Sequence, residues 1–394
     1  MTLSYLDNSA TTPMCTAAKE KMADVMQNTF GNPSSLHSLG MEAEKTVNEA
    51  RDRIFAAIGA KKLGKVKPQM LVFTSSGTEA NNLALIGTAT AKERRKGGKI
   101  IIGETEHPSV TETAKYLASI GFRVVSIPSP KGVWDMEKYR AELTQDTVLV
   151  SAMLVNNETG AVNDIASIAK LAKAKNPDVI IHCDAVQGFL KLSEPLASVP
   201  ADMISISAHK IGGPKGVGAL FLREKVLTTK SLVPFVHGGG QESGMRSGTE
   251  NTIGIAGFGA AAEYGSKNLS VSLAKFKELR GLAEKLIAEK LPDVRVNIPE
   301  AKHADHIMSI TLPGVRSETM LHFLSSKGVF VSSGSACSSN SGHKSHVLLS
   351  FGLTEKEADS TVRVSFGVQN TAEDVENLVN SLAEGLASLS RRTK

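Results

Sequence analysis

This sequence predicts an α/β architecture: a mostly parallel sheet covered by helices on both faces, with a second, smaller α+β unit. Three observations predict it. Between residues 70 and 210, short apolar runs rich in Val and Ile alternate with helix-forming stretches, the pattern of successive strand–helix units. Each apolar run ends in a small polar cluster, and sheets of this kind bind ligands beyond the carboxyl ends of their strands. From about residue 251 the pattern changes to long helices, then to a shorter series of strands and helices.

Taken in order, Leu3 to Leu6 is a short extended piece followed by Asp7-Asn8-Ser9-Ala10-Thr11-Thr12-Pro13, and a helix is expected from Pro13 to Gln27. The stretch 30–35 (FGNPSS) reads as a turn, and an amphipathic helix as covering Gly40 to Ile58. Strands are predicted at Met70–Phe73, Lys99–Ile102, Phe122–Ile127, Thr147–Leu154, Val179–Cys183, Met203–Ala208 and Val217–Leu222. Helices are expected after the first, second and fourth of these. The last part carries strands at Ile307–Leu312, Val329–Ser332 and Thr361–Phe366, a helix at Glu318–Ser325, and a closing helix capped by Thr371 with acids in its first turn.

A chain of 394 residues exceeds what one small core holds, so one large and one smaller domain are expected. The net charge of +5 is thinly spread and excludes a dedicated nucleic-acid binder. No apolar run approaches the roughly 18 residues of a membrane span, and the N-terminus lacks a secretory pattern. Three widely spaced cysteines, Cys15, Cys183 and Cys337, give neither a disulfide framework nor a zinc pattern. The expected compartment is reducing: the cytoplasm, or an organelle matrix.

The polar clusters at the strand ends converge on one crevice, lined by Gly77, Thr78, His107, Asn157, Asp184, Gln187, Ser207, His209 and Lys210. Lys210 follows a strand and precedes a loop with Gly212, Gly213, Gly216 and Gly218, which presents one amine where large side chains are nearly absent. Gly77-Thr78 opening a helix offers free N–H groups to a phosphate. Asp184 beside an apolar strand needs a cationic or N–H partner, which a protonated pyridine nitrogen would supply. Asp184 could equally be a helix cap. His107 could stack on a flat ring and carry protons, or be an ordinary loop histidine. A phosphate site, a carboxylate and a lysine at one sheet edge together match pyridoxal 5'-phosphate, bound through a lysine imine with its ring nitrogen kept protonated.

Cys337 sits among Ser, Gly, Ala and Asn, with no apolar residues to bury it, and reads as an accessible thiol on a mobile loop. Arg363, mid-strand among apolar residues, suits a carboxylate or a structural ion pair. Three look-alikes are set aside. The run 59–65 has P-loop spacing, but Val66 stands where Ser or Thr belongs. Gly257-Phe258-Gly259 lacks a preceding strand, and Cys337, His343 and His346 lack a fourth metal ligand, so no metal is expected.

Ten stretches carry a resemblance to a known family: YLDNSATTP (5–13), FGNPSS (30–35), FTSSGTEANN (73–82), TEH (105–107), VNNETG (155–160), HCDAVQ (182–187), SAHKIGGPKGVGAL (207–220), GGGQESGMRSGTEN (238–251), SSGSAC (332–337) and RVSFG (363–367). Together they resemble the cysteine desulfurases of the fold-type I, class V aminotransferase group, in order and from near the first residue to near the last. The resemblance implies a seven-stranded, mostly parallel sheet in a large cofactor-binding domain (14–258). It also implies a small domain (1–13 and 259–394) carrying the cysteine loop. It implies that Lys210 holds the cofactor, Asp184 pairs with the ring nitrogen, Gln187 with the ring hydroxyl, and His107 stacks on the ring. Gly77, Thr78, Ser207 and His209 would hold the phosphate, joined by Thr249 of a second subunit in a homodimer. Asn157 and Arg363 would take the carboxylate of L-cysteine, and Cys337 would accept its sulfur as a persulfide for a sulfur acceptor or iron–sulfur scaffold protein. Ala208 departs from the more usual Gly by one methyl, and the run after Cys337 is less typical of the family. Selenocysteine lyase is the nearest competing activity; an ordinary aminotransferase has no use for an exposed cysteine, and a non-catalytic scaffold has none for intact cofactor residues.

Overall fold

The computed structural model describes residues 3–60, 64, 66–92, 96–300, 302–334 and 345–389. The chain enters through β1 (Ser4–Tyr5), an extended strap, and helices α1 (Thr16–Asn28) and α2 (Ser38–Ile58). Alternation then sets in: β2 (Leu71–Thr74), α3 (Gly77–Thr90), β3 (Lys99–Gly103), α4 (Pro108–Ser119), β4 (Arg123–Ile127), α5 (Met136–Glu142), β5 (Thr147–Met153), α6 (Ile165–Lys175), β6 (Ile180–Asp184), β7 (Met203–Ser207) and β8 (Gly218–Leu222). A short α7 (Glu224–Thr228) leads to two long helices, α8 (Thr252–Lys267) and α9 (Leu269–Lys290). The remainder is β9 (Arg295–Val296), β10 (Ile307–Thr311), α10 (Ser317–Ser326), β11 (Val329–Phe330), β12 (Ser332–Ser333), α11 (His346–Phe351), α12 (Glu355–Asp359), β13 (Thr361–Ser365) and α13 (Ala372–Leu389).

Seven strands form the central sheet in the order β2-β8-β7-β6-β5-β3-β4. β8 runs antiparallel to both its neighbours, and the other pairings are parallel. Alternation of side chains within strands feeds both faces. Ile101 joins one apolar cluster with Ile54, Phe55, Ile165, Ile168 and Phe258, whereas Ile100 and Ile102 join the opposite one with Leu83, Val110 and Leu117. The strand order reverses between β3 and β5, so the crevice at their carboxyl ends is the natural ligand position. A third cluster gathers Leu6, Phe276, Leu279, Met308, Ile310, Val364, Val375 and Leu378 around a four-stranded antiparallel sheet ordered β12-β13-β10-β9.

Three differences from the sequence reading have physical causes. The first helix begins at Thr16, not Pro13, because the preceding strap is held extended by the lysine loop: Thr12 N–H donates to His209 O (2.9 Å) and Cys15 N–H to Gly212 O (2.9 Å). The strand expected at Val329–Ser332 is two strands, because β11 pairs with β1 and β12 with β13. Helix α5, unforeseen, starts at Met136 after Asp135, whose carboxylate caps the N–H groups of Glu137 and Lys138. The Gly257-Phe258-Gly259 run lies inside α8, where a side chain at residue 259 would stand 2.6 Å from the Cα of Ala50 on α2.

That contact gives a stability prediction. Gly259→Ala forces α8 away from α2 and should cost about 1–3 kcal/mol, read as a thermal midpoint several degrees below wild type. An unchanged midpoint would mean the helices are not held at this separation.

Candidate active site

A cavity of about 330 Å³ opens at the carboxyl ends of the central strands. Gly77, Thr78, His107, Asn157, Asp184, Gln187, Ser207, His209, Lys210 and Arg363 all line it. A larger groove of about 850 Å³, around Trp134, Asp164 and Leu171, contains none of them. Polar convergence at the strand-order reversal, rather than volume, therefore selects the site. Thr249 is exposed and does not line its own chain's cavity. Cys337 and His343 lie outside the described residues, but Ser333 and Gly334 before that segment and Ser345 and His346 after it line the cavity. Among the described residues no cluster suited to a metal ion occurs.

The lysine is aimed by its surroundings. Lys210 closes a single helical turn, Ala208–Lys210, directly after β7, and its Nζ donates to Ser9 O (2.5 Å) and Ala10 O (2.8 Å) of the N-terminal strap. The strap also receives the Gln187 amide, Nε2 to Ser9 O at 2.8 Å. Sequence reading gave these strap carbonyls no role, although they lie in the 5–13 stretch it singled out.

Asp184 is the last residue of β6 and only 5 % exposed. Its carboxylate accepts from Asn81 Nδ2 (2.7 Å) and from the backbone N–H of Val186 (3.0 Å). Asn81, on α3, was not singled out from the sequence. The N-terminus of α3 faces the same cavity. A Cβ at Gly77 would stand 2.8 Å from Val186 Cγ2, so only glycine lets the backbone come this close. Ser207 Oγ is buried there without a partner among the described residues. Free N–H groups, a helix dipole and an orphaned hydroxyl suit a phosphate. The donor set therefore fits pyridoxal phosphate: an anion cradle at one end, a buried carboxylate for the ring nitrogen, and a lysine amine between β7 and the strap.

Burial disfavours charge on most other titratable groups here. His209, bonded through Nδ1 to Thr11 Oγ1 (3.2 Å), is pushed down to about 4 by burial and by Lys210 and Lys215. Burial lowers His107 as well, with Asp184 acting against it and Lys210 with it. Glu106, donated to by the Met153 N–H (2.6 Å), is held well above the carboxylate range by burial and by the negative charge of Asp184. Burial raises Glu158 to about 7 despite a hydrogen bond from Ser345 Oγ (2.6 Å) and the nearby charge of Arg363. Arg363, in the middle of β13, donates through Nη2 to Asp7 Oδ1 (2.7 Å) and through Nη1 to Asn157 O (3.0 Å). Its Nε is buried without a partner among the described residues. The ion-pair reading of Arg363 thus holds for Asp7, and the buried Nε–H is among the donors left for a further acceptor.

The chain matches the Aminotransferase class-V family model over residues 4–378. It is 38 % identical over 381 residues to a protein of Clostridium botulinum named cysteine desulfurase IscS, covering 96 % of this chain and 93 % of that one. Two solved structures share its fold at near full length. One is a NifS-like protein at TM-score 0.89 and 33 % identity, covering 98 % of this chain and 100 % of that one. The other is a NifS-like protein from Rickettsia africae at TM-score 0.85 and 32 % identity, with the same coverage.

Glu158 makes the site's proton balance measurable. Unfolded, its carboxyl ionises near the ordinary 4.5; folded, it keeps its proton up to about 7. The folded state then binds more protons between those values, so stability falls as pH rises through that window and levels off above it, by on the order of 3 kcal/mol. Glu158→Gln keeps an oxygen for Ser345 and cannot ionise. The variant's thermal midpoint should gain on wild type between pH 5 and 8; a gap independent of pH would refute the assignment.

Proposed function

The chain belongs to the aminotransferase class-V family, and on that premise we propose a pyridoxal-phosphate-dependent cysteine desulfurase that converts L-cysteine to L-alanine and leaves the sulfur on Cys337 as a persulfide. The observation that carries this reading is the meeting of Lys210, Asp184 and the α3 N-terminus around one cavity. The names of its relatives support cysteine over selenocysteine as substrate.

When bound, pyridoxal phosphate supplies an electron sink for the bonds at the substrate's Cα. Gly77, Thr78, Ser207 and His209 would hold its phosphate, Asp184 its ring nitrogen and Gln187 its hydroxyl, and His107 would stack on the ring. Arg363 and Asn157 take the substrate carboxylate, which fixes the Cα–H bond toward Lys210. Lys210 Nζ would tether the cofactor at rest, and its amine would accept the proton from the substrate Cα. The Cys337 thiolate then attacks the substrate sulfur; the substrate C–S bond breaks, a persulfide S–S bond forms, and protonation completes alanine. His107 carries protons at this stage.

The two-domain division at 14–258, against 1–13 with 259–394, belongs to this proposal, as does a homodimer. Thr249 lies outside its own cavity and would reach the partner's phosphate. Phe30 (78 % exposed), Leu36 (95 %) and Met41 (60 %) leave an apolar surface that a second copy would cover. The persulfide would pass to a sulfur acceptor, such as an iron–sulfur scaffold protein. The cytoplasm is the proposed compartment, on cysteine usage; no described helix is long and apolar enough to cross a membrane.

Two variants test the chemistry. Lys210→Ala should lose the visible absorbance of the tethered cofactor together with activity. Cys337→Ser should keep that absorbance and lose at least about 100-fold of its sulfur release from L-cysteine. Normal turnover by Cys337→Ser would overturn the nucleophile assignment, and an unchanged spectrum in Lys210→Ala would overturn the lysine's.

A further inference from the structure

A run of three hydrogen bonds joins Asp184 to His107. Asn81, 1 % exposed on α3, places one Nδ2 hydrogen on Asp184 Oδ2 (2.7 Å) and the other on Ser109 Oγ (2.8 Å). Ser109 Oγ lies 2.8 Å from His107 Nδ1, and the Ser109 backbone N–H donates to the same Nδ1 at 3.1 Å. Each link fixes the next. The Asp184 oxygen requires a donor, so the Asn81 amide cannot be turned about, even though Oδ1 is left buried with no partner among the described residues. Ser109 Oγ then accepts from Asn81 and has its own hydrogen free for the imidazole. Two donors therefore converge on Nδ1, and a hydrogen there would oppose the backbone N–H directly.

We propose that Asn81 and Ser109 are positioning residues that hold His107 as the Nε2–H tautomer, so that the proton it presents to the cavity is set by Asp184 at the far end of the chain. In that state His107 can give a proton or a hydrogen bond at Nε2 but cannot take one there. Its first act on bound substrate is donation, and it must release a proton before it can serve as a base. Burial and the Lys210 charge oppose a second proton on the ring; Asp184 favours one. Burial, the Asp184 charge acting with it, disfavours ionisation of Glu106, the other acid beside Asp184. This inference rests on the reading of His107 as the group beside the cofactor, but its test does not depend on turnover.

The test is nitrogen-15 NMR of the histidine-labelled holoenzyme, with the His107 signals assigned by their loss in His107→Asn. At neutral pH, Nδ1 should show the shift of a bare nitrogen and Nε2 that of a protonated one. Ser109→Ala removes one of the two donors. With the backbone N–H still in place, it should raise the Nδ1–H tautomer only to a measurable minor fraction, raise the His107 titration by about one pH unit and shift the matching limb of the kcat/KM–pH profile, with cofactor absorbance unchanged. Ser109→Thr should restore the wild-type pattern. A hydrogen on Nδ1 in wild type, or a Ser109→Ala protein with the wild-type tautomer and titration, would overturn the proposal. If the Nε2–H tautomer appears in a protein that releases no sulfur from cysteine, the positioning stands and the desulfurase reading fails. Active enzyme with Nδ1–H gives the reverse.

Discussion

Two backbone carbonyls near the start of the chain, those of Ser9 and Ala10, receive the amine of a lysine two hundred residues later, and the site is assembled around that contact. A partly buried ammonium needs acceptors, and the strap supplies them only because both of its ends are tied. On one side Asn8 Nδ2 reaches Ser365 O (2.9 Å) and the Ser9 N–H reaches Ser365 Oγ (2.8 Å), fastening the strap to β13. On the other, Thr12 Oγ1 bonds His209 O (2.9 Å) and accepts from the Gly212 N–H (2.8 Å), fastening it to the lysine loop. β13 carries Arg363, so one short segment sets the lysine and the arginine relative to each other, although they come from different sheets.

The electrostatics follow from burial around that frame. Most titratable groups that line the cavity are buried or half-buried, so their charged forms carry a desolvation cost. For His107 that cost outweighs the opposing charge of Asp184, and for Glu106 and His209 the neighbouring charges act with it. Behind them His182 is pushed down to about 4; it sits in β6 between Ser151 Oγ (2.8 Å) and Ser205 Oγ (2.9 Å), each hydroxyl serving whichever role the neutral ring leaves open. The Cys183 thiol, buried in the apolar core, is raised by burial and by Asp184 and Glu106, which disfavours its reactive thiolate. What distinguishes Asp184 is its hydrogen bonding: one side-chain donor and one backbone donor, on separate oxygens.

The sheet was legible because its signal is local. A strand buried on both faces, such as β5, reads as a continuous apolar run, and the polar cluster after it marks the end where ligands sit. Thus Gly77, His107, Asp184, Ser207 and Lys210 could be placed at one edge from the sequence. The split of Val329–Ser332 into β11 and β12 could not, because only the choice of distant partners separates them. Asn81 and Ser109 escaped for a related reason. They lie one turn into α3 and just inside α4, where their side chains matter only through contacts between elements. Glu158 lay within a quoted stretch, yet nothing local distinguishes a carboxyl that bonds Ser345 from one facing water. Arg363 was readable as a charge in an apolar strand, but its partner Asp7, 356 residues away, was not.

That pair bears on how a carboxylate could be bound at all. Arg363 is neutralised by Asp7 before any ligand arrives, so net charge alone cannot draw a second anion to it. What remains is directional: the buried Nε–H lacks a partner among the described residues, and the Asn157 carbonyl, in the loop after β5, orients the guanidinium carried by β13. Glu158, beside the same guanidinium, would add a competing anion if ionised, and burial keeps its proton on up to about pH 7. If the proposed substrate carboxylate binds at this end of the cavity, its selection would depend on geometry and on keeping a neighbouring acid neutral, rather than on an excess of positive charge.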